Sequence, residues 1–348
     1  MDAAAQEISS LSERIKTSKL PDKLAEEILV RLNQLSKLTN SPTFLPEFDR
    51  ISKYIDWVTV LPWEIRTQDR LDLTAARQIL DKNHYGLLEV KDRILEYISV
   101  MKLKQEKGEG NEIFRAPILC FVGLVGTGKT TIAYSIAEAL GRKFARIPFG
   151  GMGDPLDLRG QSRMHPEAEP GKIIKSLKSA QSKNCVILLD EIDRVTDEGR
   201  SSVMGVLVEL LDPEQNHEFM DHYIDFPVDL SEVLFIATAN NTTNISTAVL
   251  DRLEPIGMPS YSDNEKITIG SRYVFPRVIK TVGLPEGTIS LDNEVWPQIV
   301  RPLGFDSGIR TLERTIEGVV RKVAKLIVEG KGKTFRITTQ NIKEFLPQ

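Results

Sequence analysis

Residues 123–130 read Gly-Leu-Val-Gly-Thr-Gly-Lys-Thr, between the apolar run Ile118–Val122 and a helical stretch, Thr130–Leu140. Strand, glycine-rich turn, helix is the setting a phosphate-binding loop requires, and few folds other than a layered α/β sheet can host it. Gly123, Gly126 and Gly128 let the backbone curl so that successive N–H groups point at phosphate oxygens. The start of the helix adds a favourable dipole, Lys129 reaches the β- and γ-phosphates, and Thr130 offers a hydroxyl to Mg²⁺. Thr127 and Thr131 belong to the same nucleotide-contacting set. A chance glycine turn would lack these flanks, so the segment predicts binding of a nucleoside triphosphate.

A second element predicts hydrolysis. Cys185–Leu189 is a short apolar run that reads as a buried parallel strand, and it ends in Asp190-Glu191, with Asp193 just beyond. Carboxylates at the carboxyl end of such a strand stand where open α/β sheets bind ligands. Asp190 is expected to hold Mg²⁺ through its water shell, and Glu191 to orient and polarise the attacking water. Alone, an Asp-Glu pair would be a solvated strand end; its weight comes from the phosphate loop upstream.

The 348 residues exceed what one compact core usually holds, and the formal net charge of −4 is spread over mixed acidic and basic residues. Nothing resembles the basic stripe of a nucleic-acid-binding surface. Cys120 and Cys185 both lie in predicted strands and read as small core residues rather than as a disulfide or metal pair. No apolar stretch approaches membrane-spanning length, and the polar start Met1–Ser10 is not a secretory signal, so a cytoplasmic chain is expected.

Helical periodicity runs through residues 8–38 and is divided by Pro21, giving a helical hairpin that must pack on something. Further helices are expected near Glu47–Val60, Leu73–Asn83 and Leu88–Lys104, with a polar loop at Lys107–Asn111 before the first strand. The α/β core runs from about Ala116 to Pro259, with more strands at Phe144–Ile147 and Val233–Thr238. Past Ser260 the pattern turns to helices only (Asp263–Thr281, Asn293–Arg301, Gly308–Glu329), then one short strand at Thr334–Thr338 and a last helix at Gln340–Leu346. The fold class is therefore α/β: a P-loop parallel sheet flanked by helices, preceded by an N-terminal helical segment and followed by a small, mostly helical lid. The expected divisions are 1–70, 71–259 and 260–348.

At this point the chain resembles the AAA+ ATPase module of Lon-type proteases over almost all its length. Tyr54-Ile-Asp-Trp57, Leu61-Pro-Trp63 and His84-Tyr-Gly-Leu87 are similar to that family's entry into the ATPase. Leu188–Asp193, Leu211-Asp-Pro-Glu-Gln-Asn216, Asp221-His-Tyr223, Ala237–Asn240, Leu250-Asp-Arg252 and Gly308–Glu313 are similar to its central and lid signatures. The resemblance implies ATP and ADP as nucleotides with Mg²⁺, Asn240 sensing the γ-phosphate, and Arg252 as an arginine finger acting on a neighbouring subunit. A ring follows from that role, and the resemblance implies that it is a hexamer. It implies Arg310 as the lid residue reaching the γ-phosphate, and an adenine pocket lined by Tyr85, Gly86, Leu87 and Tyr273. Its partners would be unfolded or damaged proteins and, where attached, a Lon-type peptidase domain; nucleic acid and membrane are not expected.

Two departures bear on function. No serine here has the family's Ser–Lys peptidase context, and the chain stops at Glu344–Gln348, about where that domain would begin, so no peptidase activity is expected of it. The segment Arg159–Gly171 matches the first pore loop, but where the family carries an aromatic and an aliphatic residue it has His165 and Pro166, preceded by Met164 and followed by Glu167 and Glu169. The second pore loop, Thr196–Val203, departs as well. Two functions therefore stay open: an ATP-driven unfoldase, and an ATP-switched ring scaffold with impaired threading. His217 and His222 are not spaced to share a helix face and predict no zinc site.

Overall fold

The computed structural model describes residues 3–39, 41–107, 117–301 and 308–347. The chain opens with α1 (Ala3–Thr17), α2 (Asp22–Ser36) and α3 (Phe44–Val60). Pro21, extended at the start of α2, makes the break between the first two. Ile8, Leu11 and Ile15 of α1, Leu24, Ile28, Leu32 and Leu35 of α2, and Phe44, Ile55 and Val58 of α3 are all buried, and the three helices pack pairwise. The partner the hairpin requires is thus α3. Each such side chain contributes ~1.5–3 kcal/mol relative to exposure.

Then come α4 (Leu73–Asn83) and α5 (Leu88–Glu106). The Asp72 carboxylate caps α4 by accepting from the N–H groups of Thr74 and Ala75. Beyond Lys107, the expected polar loop to Asn111 and the onset of the core at Ala116 lie outside the described residues.

The core follows as β1 (Ile118–Val122), α6 (Lys129–Leu140), β2 (Phe144–Pro148), α7 (Leu156–Arg159), α8 (Lys172–Ala180), β3 (Val186–Asp190), α9 (Arg200–Leu210), a small antiparallel pair β4 (Phe219–Met220) and β5 (Pro227–Val228), β6 (Leu234–Ala239), α10 (Thr247–Leu250) and β7 (Leu253–Gly257). Five of these strands make a parallel sheet in the order β2-β3-β6-β1-β7. Register places Pro148 opposite Asp190 and Leu189 opposite Ala237, which stacks the carboxyl ends of β2, β3 and β6 in one row. Strand β7 is not legible in the sequence, because Leu-Glu-Pro-Ile-Gly has neither a continuous apolar run nor good strand formers throughout.

The C-terminal part holds α11 (Asp263–Ile269), α12 (Phe275–Val282), β8 (Ile289–Leu291), α13 (Trp296–Val300), α14 (Arg310–Val328), β9 (Phe335–Ile337) and α15 (Ile342–Phe345). Two expectations are corrected here. The single helix expected over Asp263–Thr281 is interrupted by a π turn, Gly270–Val274, because Pro276 has no N–H and its ring cannot sit against the carbonyl one turn back. The region is also not helices and one lone strand: β9 pairs in parallel with β8, a three-residue strand too short to show a period.

The chain forms two compact units. One comprises Met1–Leu71, Ser99–Cys120 and Ala137–Pro255; the other comprises Asp72–Ile98, Phe121–Ile136 and Ile256–Gln348. Among the described residues no helix is long and apolar enough to cross a membrane.

Within the first unit, the extended segment after α3 is strapped to the α/β core. Asn184 accepts from the N–H of Thr67, and the Lys183 N–H donates to the carbonyl of Ile65. Arg142, its side chain 1% exposed, donates to both oxygens of Asp69 (2.8 and 2.6 Å) and to the carbonyl of Glu232. A buried guanidinium stripped of its carboxylate is expensive. Asp69→Ala is therefore expected to cost about 3–5 kcal/mol in urea unfolding, and a loss under about 1 kcal/mol would show that Arg142 does not depend on Asp69.

Candidate nucleotide site

In the second unit, the phosphate-type loop follows β1 and leads into α6. Gly126 (φ 83°) and Gly128 (φ 97°) adopt the left-handed backbone that L side chains resist. Gly123 is needed for another reason: a Cβ there would stand 2.6 Å from the carbonyl oxygen of Met258, just past β7. Lys129 is 7% exposed, and its Nζ donates to the carbonyls of Gly123 (2.6 Å) and Leu124 (2.9 Å). The Thr127 hydroxyl donates to the Leu124 carbonyl, and the Thr131 hydroxyl to that of Gly128. Tyr261, which the sequence did not mark, donates its buried hydroxyl to the Thr127 carbonyl (3.1 Å). The start of α14 lies against this loop. The Ile309 N–H donates to the Gly126 carbonyl (3.0 Å), and a Cβ at Gly308 would meet the Val125 carbonyl at 2.5 Å.

Beside these elements is a cavity of about 640 Å³ lined by Gly86, Leu87, Val90, Val122, Met258, Pro259 and Glu265 among others. Gly86 (φ 64°) and Leu87 (φ 54°) form its turn, and a left-handed leucine is a strained choice of the kind kept at ligand sites. Tyr85 and Tyr273 are not in this lining; the Tyr273 hydroxyl donates instead to the Asp81 carbonyl.

In the first unit, β3 ends in Asp190, 3% exposed. Its Oδ2 accepts from Nε (2.7 Å) and Nη2 (2.6 Å) of Arg146, two residues before the end of β2. Its Oδ1 accepts from the hydroxyl of Thr238, a fully buried residue of β6. The same Thr238 oxygen accepts from the N–H of Glu191 (2.9 Å) and so links both acidic residues. Glu191 has φ 59°, and its Oε2 lies 3.5 Å from Nη1 of Arg194. Asn240 follows directly on β6 and is half-buried. Thr238 and Arg146 escaped the sequence reading; the only signal for Thr238 is a hydroxyl inside an otherwise apolar strand.

A family model described as ATPase family associated with various cellular activities matches residues 119–258, and one described as Lon protease AAA+ ATPase lid domain matches residues 280–335. The chain is 43% identical to a Lon protease of Lawsonia intracellularis, covering 99% of this chain and 40% of the relative. It is 42% identical to a Lon protease of Halothermothrix orenii (94% and 40% covered) and 42% identical to Lon protease 2 of Thermus thermophilus (98% and 43%). This chain belongs to the Lon-type AAA+ ATPase modules. It spans about two fifths of the length of the curated relatives it matches.

In this Lon-type module Arg252 donates from Nη2 to Asp212 Oδ2 (2.8 Å) and from Nη1 to the carbonyl of Ala248. The Arg252 bond holds the Asp212 carboxyl below the usual carboxylate range. Arg310 is an exposed residue of the first turn of α14. Met164, 77% exposed, and the exposed His165 and Pro166 stand on the loop between α7 and α8. Both cysteines are buried, which pushes each thiol up to about 12.

His84, in the turn before the cavity, bonds through Nε2 to the Ser135 hydroxyl (2.9 Å). Burial first, and then the nearby Lys91 charge, lower its pKa to about 4 from 6.5. The folded chain thus keeps the ring neutral while the unfolded chain protonates it below about pH 6.5. Its stabilising share is complete above that pH and is lost as pH falls toward 4, by roughly 3 kcal/mol in all. His84→Gln is expected to flatten that part of the urea-midpoint profile. An unchanged slope would assign the acid sensitivity elsewhere.

Proposed function

We propose that this chain hydrolyses ATP to ADP and phosphate with Mg²⁺ and, as one subunit of a hexameric ring, uses the energy to unfold and translocate damaged or unfolded proteins. The observation that carries this reading is the loop 123–130: two left-handed glycines, an ammonium drawn among the loop carbonyls, and the lid helix starting on Gly126. Such a loop suits an anion, and membership in the Lon-type modules supports ATP phosphate as that anion. The adenine is assigned to the 640 Å³ cavity at Gly86 and Leu87, with Tyr85 next to that turn in sequence and Tyr273 held at Asp81.

The residues divide the work. Gly123, Gly126, Thr127, Gly128, Lys129 and Thr131 bind phosphate through N–H groups and the ammonium. Thr130 and Asp190 are assigned to Mg²⁺, which when bound would neutralise charge on the phosphates. For Asp190 that role is assigned through water, with Thr238 and Arg146 fixing its carboxylate. Glu191 orients and polarises the attacking water, Asn240 and Arg310 sense the γ-phosphate, and Arg252 stabilises charge in a neighbouring subunit. The divisions 1–70, 71–259 and 260–348 are the N-terminal helical end, the ATPase with its linker, and the lid. We assign no peptidase role to any residue here; a Lon-type peptidase domain would be the attached partner, and the cytoplasm the compartment.

Met164, His165 and Pro166 are the proposed substrate contacts. The exposure of Met164 favours gripping, whereas a histidine and a proline in place of an aromatic-aliphatic pair favour the second reading, a switched scaffold. ATPase rate per chain measured across protein concentrations separates the possibilities. A rate that rises with concentration and falls on the order of 10³-fold in Arg252→Ala supports a ring with this residue acting in trans. Glu191→Gln should lose at least ~10²-fold. Stimulation by a reduced, alkylated unfolded protein supports the motor; its absence supports the scaffold. A concentration-independent rate indifferent to Arg252 would contradict the ring.

A further inference from the structure

The loop between α7 and α8 carries the proposed substrate contacts, and nearly all of residues 161–169 are exposed. Arg163 and Ala168 are the exceptions, and the Arg163 side chain is only 14% exposed. Its guanidinium carbon lies 4.0 Å from the centroid of the Tyr54 ring of α3, and its Nη2 donates to Asp225 Oδ2 at 2.9 Å. Tyr54 is buried and donates its hydroxyl to the carbonyl of Ile224 (2.9 Å). One cation is therefore held by an aromatic ring from the N-terminal helices and by a carboxylate from the turn 221–225.

That turn also fastens the loop at both stems. Asp221, fully buried, accepts from the Gly171 N–H (2.8 Å) and from the N–H groups of Tyr223 and Ile224. The His222 N–H donates to the Arg159 carbonyl (2.7 Å). Gly160 can carry no side chain, since a Cβ would stand 2.7 Å from the Gly171 nitrogen and 2.9 Å from an Asp221 oxygen. Asp225 itself has φ 53°, a left-handed turn closed by its N–H on the Asp221 carbonyl. The stems are thus clamped by the backbone, while the tip is tied down by the Arg163 side chain.

We infer that Arg163, stacked on Tyr54 and paired with Asp225, is the positioning residue that holds Met164, His165 and Pro166 in place, so that the N-terminal helix α3 sets the posture of the substrate loop. The coupling is a property of the first unit alone; its consequence for substrate grip rests on the threading role proposed above. A cation on a ring face and in an ion pair is a reversible tie, and a shift of α3 would release the tip without unfolding the stems.

Hydrogen exchange of the full chain tests the tie directly. Arg163→Gln and Tyr54→Leu are expected to speed amide exchange over 161–169 by about tenfold or more while leaving β3 and β6 unchanged. Tyr54→Phe keeps the ring and loses only the bond to Ile224, so it should leave the loop protected. Loop exchange unaltered in Arg163→Gln, a substitution near the surface that need not unfold anything, overturns the proposal. In the ATPase assay, Arg163→Gln should keep the basal rate and raise the concentration of unfolded protein for half-maximal stimulation about tenfold. A stimulated wild type with an unmoved half-maximal concentration in the variant overturns the role in grip. An unstimulated wild type defeats the threading reading itself, and the exchange result then decides the tie alone.

Discussion

Burial of β3 and β6 on both faces is the constraint on which the chemistry of this molecule depends. Every residue of Val186–Asp190 and Leu234–Ala239 is buried, as a parallel sheet covered by helices requires. A polar side chain there must be fully partnered or pushed to the strand end. Asp190 and Thr238 satisfy both conditions. Register brings the ends of β3 and β6 level, and the Thr238 oxygen then serves at once as donor to Asp190 and as acceptor from the Glu191 N–H. The left-handed φ of Glu191 follows from the chain turning sharply out of a buried strand while keeping that bond.

The second unit solves a different problem, the burial of an ammonium. Lys129 can lie nearly hidden because the loop that carries it supplies its own carbonyls as partners. A loop so curled cannot be closed by residues with side chains, hence the left-handed Gly126 and Gly128 and the tight approach of Gly123 to Met258. The same tightness admits Gly308 and Ile309 onto the loop, so the first turn of α14, with Arg310, starts from a main-chain bond to Gly126. Lid and loop thus share a main-chain hydrogen bond.

Legibility in the sequence tracked how local each cause was. The loop 123–130, the strand ending in Asp190 and most helices declare themselves within a few residues through glycine spacing, apolar runs and period. Helix α3 as the partner of the first hairpin was not readable, because pairing three amphipathic stripes is a tertiary choice. Strand β7 hid behind Glu254 and Pro255, and β8 behind its shortness. The break at Gly270–Val274 could have been read from Pro276. In the candidate site, Lys129, Asp190 and Glu191 are motif residues, whereas Thr238, Arg146 and Tyr261 matter only through register or through contacts distant in sequence. Those are the residues a pattern cannot announce.

The loop 123–130 and the acidic end of β3 are each held by hydrogen bonds within their own unit. The central claim is that the ammonium and N–H groups of residues 123–130 bind the phosphates of ATP. It is tested most directly by calorimetric titration of ATP with Mg²⁺ into the Glu191→Gln chain, where turnover is slowed, and into the same chain carrying Lys129→Ala. Saturable binding in the first that is lost in the second is the result this account predicts. Equal binding in both, or none in the first, would contradict it.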